Sequence, residues 1–76
     1  MNKVRRKALS EIMNRLEELK GELETLKEEE EEYRDNMPEN LQGSERYEAA
    51  DSACDNLDSA VSSLEEAIIY IEEATE

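Results

Sequence analysis

Carboxylates are the only reactive side chains this sequence holds in quantity, with 22 Asp and Glu against 9 Lys and Arg and no His. Acid/base or two-metal catalysis by carboxylates requires them to converge in a dry pocket. The other catalytic parts are missing. There is no His to act as general base, no Ser or Cys beside an activating partner, no Gly-rich phosphate loop and no Cys/His cluster. The run Glu28 to Glu32 lacks EF-hand spacing and reads as a solvated face. The composition therefore argues for a non-enzyme with no cofactor and no metal.

What these carboxylates can do is present charge. Glu48, Asp51, Asp55 and Asp58 are spaced by three and four residues, so on a helix they form one row with neighbours about 5–6 Å apart. That spacing is comparable to the phosphates of a nucleic-acid strand, and a rigid rod bearing such a row can occupy a basic groove. The plainer reading of the same row is a surface that keeps the chain in solution. A formal net charge of −13 opposes direct binding to nucleic acid or to an anionic membrane, and favours a basic protein partner.

These residues have to be positioned by helices. From Tyr47 onward apolar residues recur in alternating steps of three and four: Tyr47, Ala50, Cys54, Leu57, Val61, Leu64, Ile68 and Ile71. This is a heptad seam, with Tyr47, Cys54, Val61 and Ile68 at position a and the others at d. The first half repeats it through Leu9, Ile12, Leu16, Leu19, Leu23 and Leu26, then Glu30 and Tyr33. Gly21 falls at the outward f position. Five successive glutamates, one of them Glu30 in the seam, predict looser packing toward that end.

Pro38 cannot continue a helix and disfavours helical geometry at Met37, so a break is expected there. One domain over residues 1–76 is predicted, with helix 1 about 3–36, a linker 37–43 and helix 2 about 44–75. So short a linker makes the helices antiparallel neighbours. Ser44 is the expected N-cap, and Met37 and Leu41 are expected to fold back over the closed end. One register aligns both seams, setting Leu26 beside Cys54, Leu19 beside Val61 and Ile12 beside Ile68. It also brings Lys20, Lys27 and Arg34 alongside Asp51, Asp58, Glu65 and Glu72. Such exposed pairs select register more than they stabilise.

A single helix pair of this size cannot build a thick core, so self-association is expected. Ala53, Ala60, Ala67 and Ala74 recur every seven residues along one edge, where methyl-sized side chains admit another backbone. The predicted fold is thus an all-α antiparallel two-helix coiled-coil hairpin, two copies of which dimerise along that alanine edge into a four-helix bundle. Ile69 and Tyr70 fit neither a nor d. With Met13, Val4 and Ala8 they predict an apolar patch at the open end, of the sort that marks an interface.

The basic start, Lys3, Arg5, Arg6 and Lys7, is not followed by an apolar stretch, so it does not read as a secretory signal. Those cations are expected to be neutralised by Glu72, Glu73 and Glu76 at the adjacent end of helix 2. The longest apolar run, Ala67 to Ile71, is too short to span a bilayer, and a cytoplasmic protein is expected. Cys54 at a seam position reads as a small buried hydrophobe.

The segment from Tyr33 to Glu48, and above all its core Asn36-Met37-Pro38-Glu39-Asn40-Leu41, resembles a stretch found in short acidic helical-hairpin proteins of Firmicutes and their phages. The resemblance runs over nearly the whole chain. It implies a mobile-element or bacterial cytoplasmic setting and carries no catalytic residues. Small size and acidity are also similar in style to phage inhibitors of host defence, including anti-CRISPR proteins. Two functions follow as expectations: an acidic inhibitor that occupies a basic, nucleic-acid-binding surface of a host protein, or a structural coiled-coil module for oligomerisation or scaffolding.

Overall fold

In a computed structural model describing residues 1–76, the chain forms helix α1 (Lys3–Asp35), a 3-10 turn (Glu39–Leu41) and helix α2 (Glu45–Ala74), with no strand. The helices pack against each other as an antiparallel hairpin, a rod of 59 × 15 × 13 Å. Both boundaries fall within one residue of the positions read from Pro38 and Ser44.

Each start has a local cause. The Asn2 side chain accepts a hydrogen bond from the Arg5 backbone N–H at 2.8 Å, occupying one of the donors a helix leaves free at its first turn. Ser44 does the same for the Tyr47 N–H at 3.3 Å, while its own hydroxyl donates to the Leu41 carbonyl. Glu45 and Glu48 occupy the first turn of α2, where the helix dipole favours negative charge. Helix α1 stops at Asp35, and the Asn36 N–H closes it by donating to the Glu32 carbonyl while the Met37 N–H donates to that of Arg34. The chain is then already extended at Pro38, with ψ at 148°.

The closed end is plugged by Met37 alone, 7% exposed; Leu41, expected beside it, faces water. The turn explains the correction. Leu41 ends the 3-10 segment, and its carbonyl is held by the Ser44 cap, so its side chain is carried to the outside.

The core is one row deep. Ala50, Cys54, Val61 and Ile68 of α2 are buried together with Met37, and α1 contributes no fully buried residue. The equal burial of both seams implied by the heptads is not what forms. On α1 the half-buried rows are Leu9, Leu16 and Leu23, and Met13, Lys20, Lys27 and Arg34. These two rows are about 40° apart around the helix. The face of α1 turned to α2 is therefore centred between positions a and e. Its d row is left on the flank, with Ile12 38%, Leu19 54%, Leu26 55% and Tyr33 48% exposed.

Candidate interaction surfaces

The hairpin has two different edges, and the interhelical ion pairs identify the first. Arg34 reaches Asp51 at 3.0 Å, Lys27 reaches Asp58 at 3.1 Å and Lys20 reaches Glu65 at 3.8 Å. Each step of seven residues back along α1 is matched by seven forward along α2, as an antiparallel coil without slippage requires. This offset is five residues away from the register that would align the two seams: Cys54 lies near Glu30 and Glu31 and not beside Leu26, because the basic e row of α1 and not its d row packs on α2. Glu72 makes no ion pair, because the α1 residue level with it on this edge is Met13.

These pairs change the acidic row. Asp51 and Asp58 are held by Arg34 and Lys27, while Glu48 and Asp55 are exposed and unbridged. Half of the Glu48, Asp51, Asp55, Asp58 series thus belongs to the hairpin's own clasp. Hydrogen bonding to Asp58 raises the Lys27 ammonium above its ordinary pKa, against an opposing desolvation effect. Arg34 is raised too, first by its hydrogen bond to Asp35 and then by Asp51. Both cations stay charged throughout the neutral range.

Beside this edge near the open end runs a shallow groove lined by Glu17, Lys20, Glu65, Ile68, Ile69 and Glu72. It brings Ile69 to the edge that carries Met13. Tyr70 is one residue further round, about 100° away, and is exposed. Met13 is half-buried, whereas Val4 and Ala8 are exposed. Met13 and Ile69 therefore share an edge, and Tyr70 faces outward by itself.

The expected neutralisation of the basic start does not occur. Lys3, Arg5, Arg6 and Lys7 form no ion pair, and neither do Glu72, Glu73 and Glu76. The offset set by the ion pairs carries Lys3 to Lys7 past the end of α2, so they stay in solvent.

The second edge is apolar. Ala53, Ala60 and Ala67 are half-buried along α2, on the side opposite Asp51, Asp58 and Glu65; Ala74, in the last turn, is exposed. The uncovered α1 row of Ile12, Leu19, Leu26 and Tyr33 runs along this same side, since d and e lie on opposite flanks of a. Sequence reasoning identified the alanines but assigned the α1 row to the hairpin core. The signal that could have separated them is the basic e row, whose stems already cover the position that a seam residue would otherwise fill.

Cys54 is buried, and desolvation pushes its thiol above the ordinary pKa, with Glu31, Glu30 and Asp51 adding to the effect and Arg34 opposing it. Its thiolate is suppressed, which suits packing and not reactivity. No three acidic or Cys side chains converge as a metal site, and no helix is long and apolar enough to cross a membrane. No known protein family, no curated protein and no solved structure matches this chain.

Proposed function

We propose that this protein is a non-enzymatic protein-binding module whose working form is a homodimer, two hairpins joined as a four-helix bundle. The observation that carries this reading is the uncovered row of Ile12, Leu19, Leu26 and Tyr33. Large aliphatic residues repeating every seven positions on a helix are placed for another helix, and their exposure costs solvation free energy until one arrives. The alanine row on the same edge supports the assignment, because small side chains let a second rod approach to about 8–10 Å between axes. The role that fits is structural: holding copies of the chain, and whatever they carry, in a fixed antiparallel geometry.

A second reading has its own support. Glu48 and Asp55 remain free on the outer surface, next to a net charge of −13. An acidic inhibitor of a basic, nucleic-acid-binding host protein would use them, in the phage or bacterial cytoplasmic setting that the sequence resemblance implies. Salt separates the two functions. Association between chains of like charge tightens as salt screens their repulsion, whereas an acidic row held in a basic groove loosens. Sedimentation of the chain alone, and its capture of basic proteins from a bacterial lysate, would each be followed from low to high salt. A dimer that strengthens with salt, and whose lysate partners do not respond to Glu48→Gln with Asp55→Asn, supports the structural role; salt-released partners lost in that variant support the inhibitor.

A further inference from the structure

Two charges interrupt the apolar seam of α1, and neither is answered within the hairpin. Arg5 occupies a d position one heptad before Ile12, and Glu30 occupies an a position one heptad after Leu23. Glu30 is half-buried near Cys54; Arg5 is exposed, beyond the end of α2. Neither side chain takes part in an ion pair. A cation and an anion at opposite ends of one helix are complementary when that helix meets a copy of itself running the other way.

We infer that the occupant of the uncovered apolar edge is a second copy whose loop points to the opposite end, with α1 packed antiparallel on α1 and Arg5 of each chain paired with Glu30 of the other; this rests on the homodimer reading above. The register that joins Arg5 to Glu30 also sets Leu16 against Leu19 of the second copy, and Leu9 against Leu26. Nearly all of α1 overlaps in it. The same two-fold, carried across to α2 by the offset of the interhelical ion pairs, brings Ala67 beside Ala67 of the second copy and Ala60 beside its Ala74. Thus one isologous operation satisfies the seam charges, covers the leucine row and closes the alanine edge on itself.

With both loops at one end, α1 would instead meet α2, where the facing rows are alanines and neutral residues such as Asn56 and Ser63, and Arg5 and Glu30 would stay unpaired. The area agrees with a single added partner. A folded chain of 8.8 kDa ordinarily exposes about 4,800 Å². This one exposes 5762 Å², an excess of about 1,000 Å² against the roughly 800 Å² that each partner covers in a standard interface.

The test is sedimentation equilibrium of Arg5→Glu, of Glu30→Arg and of their equimolar mixture, with helix content followed by circular dichroism. Each variant alone sets like charges opposite each other twice per dimer and is expected to weaken association at least about tenfold. The mixture restores both pairs in a heterodimer and is expected to return to the wild-type association. If wild type dimerises but the mixture is no tighter than the single variants, the opposite-ended arrangement is wrong while the homodimer stands. If wild type is a folded monomer at high micromolar concentration, the homodimer reading falls and takes this inference with it. A spin label at Gln42→Cys in a Cys54→Ala background gives an independent measure that needs no charge change. Opposite ends place the two labels near the full 59 Å of the rod, and a common end places them within roughly 20 Å.

Discussion

Helices α1 and α2 carry the same seven-residue apolar pattern, yet α2 buries Ala50, Cys54, Val61 and Ile68 whereas α1 buries nothing fully. The difference is one of side-chain size. Three of the four buried residues of α2, Ala50, Cys54 and Val61, are small or medium-sized, and the leucines of α1 are long enough to lie over them, so the smaller residues disappear from water while the large ones that cover them stay half outside. A thin core made by one pair of helices thus has a sheltered side and a sheltering side. The sheltering side keeps an apolar row that only a further helix can cover.

That contrast can be broken most severely at Ile68. Ile68→Ala is expected to cost about 2–5 kcal/mol of stability in urea or thermal unfolding, because a buried side chain leaves a cavity as well as losing its transfer free energy. Leu26→Ala, with 55% of the native side chain already in water, is expected to cost less than half as much in dilute solution. Raising the protein concentration sharpens the comparison. The Leu26→Ala penalty should grow as dimers form, since it then removes an interface contact, while the Ile68→Ala penalty stays within the hairpin.

Gly21→Ala is expected to add about 1 kcal/mol, as an exposed helix-interior position with nothing within 4 Å of a new Cβ. Cys54 reports on the hairpin without altering it. Its alkylation should be slow in the native state and become fast at the urea midpoint, because burial suppresses the thiolate and blocks access together. An equal rate in both states would mean that the sheltered row opens freely.

The smallest effect expected is on alkaline stability. The Lys27 pKa is raised in the folded chain, first by its hydrogen bond to Asp58, so its contribution is full below the unfolded lysine pKa and is lost as pH climbs through the folded value. Stability should therefore fall more steeply above about pH 10 in wild type than in Lys27→Gln. Parallel slopes would show that the clasp contributes nothing.

Much of this was legible in the sequence. Pro38, Ser44 and the two seams give the hairpin and its boundaries, and the three interhelical ion pairs use the basic and acidic rows that the seams place on one edge, but the register is displaced by five residues from the one that aligns the seams. The exposure of the α1 d row was hidden, since a heptad pattern states which residues share a face but not how that face is turned when Lys20, Lys27 and Arg34 claim part of it with their stems. The acidic row was partly misleading for a related reason. Spacing along one helix puts Asp51 and Asp58 with Glu48 and Asp55, and only the opposing helix shows that the first two are spoken for. The free cations at the start were hidden too, as the offset set by the ion pairs carries Lys3 to Lys7 past the acidic end of α2.

The measurement that bears most directly on these conclusions is sedimentation equilibrium of the unmodified chain from low to high micromolar concentration. The uncovered leucine row requires the mass to rise with concentration from 8.8 kDa to twice that value, at lower concentration in higher salt. A single folded species of 8.8 kDa at every concentration and salt would contradict it and leave the acidic outer surface as the better guide to function.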